Sequence, residues 1–575
     1  MFLASTALEE FWDKDEELLL LGPWCLPYGR RLDPRVRFEF LQDPWEDPAA
    51  RKKAYDECLS AYRNFMPALS ERLNAAHSTA FSERYWSIVA GPWLMRYIQL
   101  LRDRYEFVRF ALERHSGLRT WTLAQSSGIL VKDTADFTAL CCADGYNLQL
   151  FSQICSVLGV PGQAREFQVA RAPSARAGLR GRLRRGVKRG ADLVRRATRR
   201  PVWLHELCIP PRDVASLVLR SKGKAWPFHA PPVNVPAPRF ADRALRANFQ
   251  GESLPKTTAF EKVLGATISA NIPSLYVEGY PRLAKLADRG VGRTPRTIVS
   301  ANGWSYDEGF KAVAAAQGEK GARLVGAQHG GGYGMYECIW QEHFERSVTD
   351  AFLCWGWSAL DGDPRLSDVA SPIFPWARAP RSGGDEILVV GTDLPVYRHG
   401  FHSQPSGWQF LRYMKDRETF LAGLPPALRG RVTVRLQKGE LGGRQAERLR
   451  AAFPEIKVDR GERPFRERLR QCRLAVFDHP GTSWLESAAL EVPSLFFWRP
   501  EDWAMRSCAE PVFERLRKVK ALFDSPAEAA ASLALREAAL AGWSRAPEVI
   551  DAFDRLRSQF AKSSSNWRRQ WLEAL

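Results

Sequence analysis

A chain of 575 residues is too long for one hydrophobic core, so at least two large domains are expected. The composition, 45% hydrophobic and 11% aromatic with a mean hydropathy of −0.32, excludes a disordered or fibrous protein. A net charge of +18 and a pI near 9.6 call for an anionic partner: a phosphorylated substrate, an acidic lipid surface or nucleic acid.

The opening MFLASTALEEFWDKDEELLLLG lacks a basic n-region and an uninterrupted apolar stretch, so it does not read as a secretory signal and a cytoplasmic location is expected. No run reaches the roughly 20 apolar residues that cross a bilayer as a helix. The ten cysteines are scattered, with only Cys141 and Cys142 adjacent, which predicts reduced thiols and no structural zinc. ALEEFWD reads as a helix and LLLLGPWCLPYGRR as a buried strand ending in a turn, the start of an α/β layer. The two GPW stretches, at Trp24 and Trp93, read as packing turns. From LSERLNAAH to YEFVRFAL the apolar residues recur every three or four positions, which predicts helix.

Residues 166–200 read as a basic insertion in which 171–200 holds eleven Arg and one Lys against Asp192 alone. Leu179, Leu183, Val187 and Val194 give it a thin apolar stripe, so it suits either an anionic membrane surface or a solvated charged segment. Without interleaved aromatics it is a poor fit for nucleic acid. Beyond a Pro-rich passage, TIVSANG, YDEGFKAVAAAQGEKG and ARLVGAQHGG read as strand, helix, strand. Residues 375–386 have linker composition. A second series of short apolar strands follows in EILVVGTD, VTVRLQKGE, IKVDRG, LAVFDHPG and PSLFFW. The expected division is an N-terminal Rossmann-like, helix-rich domain over 1–374, a C-terminal Rossmann-like domain over 386–535, and helices over 536–575.

Two strand ends carry the candidate chemistry. In LAVFDHPGTSWLE a strand runs through His479, Pro480, Gly481, Thr482 and Ser483 into a helix, so that amides, hydroxyls and an imidazole converge where a phosphate binds; Glu486 would brace this cradle. A simple helix cap by Thr482 or Ser483 is the plainer alternative. Arg435 and Lys438 lie at and beyond the end of another strand, placed to reach the same phosphate. In GAQHGGGYG a strand delivers Gln328 and His329 to a glycine loop. Gly330 and Gly331 there permit close approach of a ligand, and His329 is the candidate general base. Asn302 is placed to line the same cleft, and Glu342, His343 and Glu345 form a second polar cluster. Asp361 and Asp363 have the spacing of a sugar-transferase metal motif, but DGDP reads as a turn and no metal is expected.

On TALEEFWD, LGPWCLPY, SERYWSIVAGPWL, SANGW, DEGFKAVAAAQGEKG, GAQHGGGYG, WGWS and GTSWLESAALEVPSLFFW, the chain resembles a family of transferases encoded in bacterial O-antigen and surface-polysaccharide clusters, over nearly its whole length. The resemblance implies an α/β fold of GT-B type, two Rossmann-like domains facing a cleft, and metal-independent sugar transfer without a cofactor. QHG looks like the histidine motif of teichoic-acid glycerophosphotransferases, which would assign the base to His329. DHPGTS is similar to the HP and Ser/Thr motifs of bacterial sialyltransferases, although those are separate there and contiguous here. The expected function is transfer of a sugar, with a nonulosonic acid from its CMP ester as the candidate, to a glycan or lipid-linked acceptor at the inner membrane. Polyol-phosphate transfer, or membrane or nucleic-acid binding on a degenerate core, are the alternatives.

Overall fold

In a computed structural model, the described residues are 1–168, 198, 200–234, 238, 241–250, 257–289, 294–374 and 384–575. The basic segment 171–200, apart from 198 and 200, and the linker 375–386, apart from 384–386, therefore lie outside them.

Two six-stranded parallel sheets organise the molecule. The first runs Leu366–Asp368, Ala351–Cys354, Arg323–Ala327, Thr297–Ser300, Val202–His205, Ala225–Pro227 across its width. Numbered along the chain within this sheet, that is the order 6-5-4-3-1-2, so the connection reverses direction between Val202–His205 and Thr297–Ser300. The second runs Lys457–Asp459, Val432–Arg435, Ile387–Val390, Leu474–Phe477, Ser494–Phe497, Leu522–Phe523. Its order is 3-2-1-4-5-6, that of a dinucleotide-binding fold, with the reversal between Ile387–Val390 and Leu474–Phe477. Strands such as Ile387–Val390 and Leu474–Phe477 are buried at all positions, as expected where helices cover both faces. The carboxyl edges of the two sheets face one another, so the architecture is that of a GT-B fold.

The N-terminal region is more than helices. Phe2–Ala4, Leu18–Leu20 and Phe38–Phe40 form a parallel sheet, and an isolated bridge from Phe2 to Arg119 joins it to the pair Thr120–Leu123 and Gly162–Arg165. ALEEFWD forms only a short 3-10 turn over Glu9–Phe11, after which Trp12 donates its indole N–H back to the Thr6 carbonyl at 2.9 Å. Two long helices follow, Pro48–His77 and Glu83–Arg114. The second stretch GPW is not a turn: Gly91, Pro92 and Trp93 lie inside Glu83–Arg114, where tertiary burial outweighs the helix-breaking cost of proline.

Glu83–Arg114 is buried on nearly every side and ties the two halves together. Arg104 donates to the Arg398 carbonyl at 2.7 Å and to Asn147, and Gln99 accepts from the Phe401 amide at 2.8 Å. Asp103 pairs with both Arg104 and Arg398. The chain finally returns to the first sheet, where Trp567 and Trp571 join Leu204, Val299 and Leu353 in one core. Among the described residues no helix is long and apolar enough to cross a membrane.

Candidate functional site

The two stretches singled out in the sequence meet. Gly331 donates its amide to Thr482 Oγ1 at 2.8 Å, and Tyr336 donates its hydroxyl to the Pro480 carbonyl at 2.7 Å. The approach at Gly331 is so close that a Cβ there would lie 2.9 Å from the Gly481 carbonyl and 3.0 Å from Thr482 Cα. The next glycine, Gly332, has φ +92° and presses on the Tyr336 ring, so neither position tolerates a side chain. Backbone pairing of Glu337 with Ala504 and of Arg506 with Met335 extends the seam.

His329 stands beside this seam, partly exposed. Its Nε2 lies 3.2 Å from Glu345 Oε1 and 2.8 Å from the Tyr333 hydroxyl, which donates to Glu345 Oε2 at 3.0 Å. The proton therefore sits on Nε2, shared between carboxylate and phenol oxygen, while Nδ1 has no hydrogen-bond partner among the described residues. Glu345 is fully buried, and burial pushes its carboxyl pKa up; it pushes the Tyr333 phenol far above its usual range as well. The His329 ring is thus aimed by a carboxyl group behind it. Tyr333 was not singled out in the sequence. Glu345 was, as one of a polar cluster, and the helical period sorts its members: Glu342 and Glu345, three residues apart, both face the glycine loop, Glu345 toward His329 and Glu342 onto the Gly334 amide at 2.8 Å, while His343 looks elsewhere.

Several expected contacts are corrected. Gln328 was grouped with the base, but it is 2% exposed and spent on the protein. Its Nε2 donates to the Gly330 carbonyl at 2.9 Å and its Oε1 accepts from Trp357 Nε1 and the Trp355 amide, so it positions the glycine loop. Arg435 donates to Asp459 at 2.8 Å and lies against Phe465, which neutralises it. Glu486 is paired with Arg466. His343 lines a separate cavity of about 460 Å³ with Lys52, Tyr55, Leu59, Arg346 and Arg506, where burial and then Arg63 lower its pKa. Asp361 and Asp363 are both held by Arg346.

The cradle residues do converge. The helix Thr482–Ala489 has Gly481 as its N-cap with no side-chain cap, so neither Thr482 nor Ser483 serves as the helix cap. Thr482 accepts from Gly331 and keeps its own proton to donate. Lys438 is exposed on the adjoining loop. His479 is 6% exposed and its Nδ1 lies 3.0 Å from Asp478, leaving Nε2 without a hydrogen bond among the described residues. Asp478 belongs to a buried network that the sequence did not announce: Arg417 Nε donates to it at 2.5 Å and the Tyr413 hydroxyl at 2.7 Å, and Gln445 links Arg417 to Thr392 and Asp393. Burial raises the Asp478 carboxyl, but Arg417 and His479 more than offset it and hold it below its usual range. All of this lies at the reversal point of the second sheet, where ligands of open α/β sheets bind.

Asn302 sits at the reversal point of the first sheet, half-buried, its amide bonded to the Glu206 carbonyl. Beside it His205, Glu206 and Asp307 bring three possible ligand atoms within 4.8 Å of one another. His205 is already satisfied there, by the Phe228 carbonyl at 3.0 Å and Asp307 at 3.1 Å.

Among solved structures, a mutant of the Thermobaculum terrenum O-GlcNAc transferase is similar at 14% identity over 92% of this chain and 98% of that one, with a TM-score of 0.33. Acinetobacter baumannii MurG is similar at 12% identity over 65% and 99%, TM-score 0.32. WaaG, a glycosyltransferase of lipopolysaccharide biosynthesis, is similar at 12% over 65% and 98%, TM-score 0.30. At such scores no residue role passes from them to this chain. No curated protein matches the sequence. The description "LIC12162 family transferase" matches residues 1–575, and the chain belongs to that family of transferases.

Proposed function

We propose that the protein is a glycosyltransferase that moves a sugar from a nucleotide donor to a surface-glycan acceptor without a metal ion. The observation that carries this reading is His329, held by Glu345 and Tyr333 with Nδ1 open, beside the seam where the glycine loop meets Thr482. Nδ1 takes the proton of an acceptor hydroxyl, and the acceptor oxygen forms its bond to the anomeric carbon. The bond from that carbon to the donor phosphate oxygen breaks, and its electron pair leaves with the nucleotide. The charge of the leaving phosphate is met by the amide end of Thr482–Ala489, the hydroxyls of Thr482 and Ser483, His479 Nε2 and Lys438. The donor candidate is a CMP-linked nonulosonic acid, on the likeness of DHPGTS to sialyltransferase motifs. The work is done at the cytoplasmic face of the inner membrane, with 171–200 on anionic lipid.

Transfer of label from a panel of CMP-, UDP- and GDP-sugars, with CDP-glycerol alongside, tests the reading. His329→Ala is expected to lower transfer by about 10²- to 10⁴-fold, the usual contribution of a general base. Label entering product from CDP-glycerol alone would replace sugar transfer by polyol-phosphate transfer. EDTA is expected to leave activity intact; loss that divalent ions restore would overturn the metal-free claim and direct attention to His205, Glu206 and Asp307.

A further inference from the structure

Arg96, on the helix Glu83–Arg114, is 3% exposed. Its Nη1 donates to Thr138 Oγ1, its Nε has no partner, and no carboxylate among the described residues pairs with it. Comparable buried arginines are all matched: Arg104 and Arg398 with Asp103, Arg246 with Glu278, Arg417 with Asp478. A buried guanidinium without a counter-charge is costly, and the cost is removed when an anion binds.

Aromatic and imidazole rings surround Arg96. The Arg96 guanidinium lies 5.6 Å from the Trp340 ring and 5.8 Å from that of Tyr306. The His402 ring is 6.3 Å from Trp340 and 6.5 Å from the His399 ring. Burial falls from Arg96 through the half-buried His399 and His402 to the exposed Tyr306. His399 and His402 come from the loop after Ile387–Val390, at the reversal point of the second sheet, and Arg96 comes from the N-terminal helix. These side chains thus come from both halves of the molecule. Burial, and after it the Arg96 charge, hold His402 down at about 3 and His399 well below its usual range, so both imidazoles beside Arg96 are neutral.

We propose that Arg96, His399 and His402 form a binding site for a compact oxyanion, a phosphoryl or carboxylate group of one of the substrates. The planar fork of Arg96 suits two oxygens of such a group. The proposal rests on the transferase reading only in making the anion's owner a substrate.

Melting of the full chain in chloride buffer free of other anions tests it, with inorganic pyrophosphate, CMP and glucuronate as probes. At least one probe is expected to raise the melting temperature of the wild type and of His329→Ala by about 1–3 °C. Arg96→Met is expected to lose that shift while melting no lower than wild type without anion, because an apolar side chain replaces an unpaired charge. Response to pyrophosphate or CMP identifies a phosphoryl group, and response to glucuronate a carboxylate. Failure of all three probes on wild type, or a full shift in Arg96→Met, overturns the proposal. Should Arg96→Met not fold, a full shift in His402→Gln overturns it instead. If His329→Ala transfers sugar normally while Arg96→Met loses the shift, the catalytic reading falls and this site stands; the opposite pattern removes this site and leaves the catalytic reading in place.

Discussion

Replacing Glu345 by Gln keeps the shape of the side chain and removes its charge. In the wild type the carboxylate takes the His329 Nε2 proton at 3.2 Å and the Tyr333 hydroxyl at 3.0 Å. Once His329 has accepted a second proton, its bond to Glu345 joins two ions, and hydrogen bonds to charged groups contribute about 1.5–3 kcal/mol. At 1.36 kcal/mol for each factor of ten, kcat should fall by about 10- to 150-fold with little change in KM. Stability should move the other way. Because burial raises the Glu345 pKa, the folded protein holds this proton more tightly than the unfolded chain. That contribution is fully present below the unfolded carboxylate range and is lost as pH rises through the folded pKa. Gln never ionises, so Glu345→Gln should melt higher than wild type at neutral and alkaline pH and no higher in acid. Steady-state transfer of labelled sugar and melting curves across pH measure both. A kcat within about threefold of wild type, or a variant that melts lower at alkaline pH, would refute the arrangement deduced for His329.

Three other outcomes are expected. Gly331→Ala should wedge the seam at Gly481 and Thr482, costing about 1–3 kcal/mol as overpacking does; an unaltered melting curve and unaltered transfer would count against a closed seam. Asp478→Asn leaves Arg417 buried without its carboxylate, a loss of about 3–5 kcal/mol in chemical denaturation. Since Asp478 is held below the usual carboxylate range, its contribution is present above the unfolded pKa and lost as pH falls, so the variant should show a weaker acid limb than wild type. Deleting 171–200 should weaken sedimentation with anionic vesicles by about 1 kcal/mol for each Arg that lies near the lipid, while turnover of a soluble acceptor stays intact.

Most strands of the second sheet and two of the first were legible because each is a short apolar run closed by a turn: TIVS, RLVGA, ILVV, VTVR, LAVF and SLFF lie where the sequence puts them, whereas Val202–His205, Ala225–Pro227, Ala351–Cys354, Leu366–Asp368 and Leu522–Phe523 were not singled out. Less legible was the N-terminal layer, whose three-residue strands Phe2–Ala4 and Phe38–Phe40 are too short for a periodic signal. Pro92 misled for a local reason, since proline's propensity says nothing about the burial that holds it inside a helix. Of the site, the convergence of His329 with Thr482 followed from strand ends and glycines. Which cations were free did not follow, because Arg435 and Asp459 come from different strands and pair only in the folded sheet. Arg96 could not be found from sequence at all. Its mark is a missing partner, which only the packed structure reveals.

The return of Trp567 and Trp571 to the first sheet bears on how the chain comes to be folded at all. Trp571 Nε1 donates to the Ala370 carbonyl, Gln570 accepts from the Ala370 amide, and Arg568 pairs with Asp213. Domains generally fold as they leave the ribosome, the earlier one first. Here the core on the earlier sheet is completed only after the whole of the later one has been made. Throughout that interval the core of Leu204, Val299, Val325 and Leu353 lacks the two indoles that complete it. A nascent chain stalled before Trp567 should therefore recruit holdase chaperones more than one in which Trp567 and Trp571 have emerged.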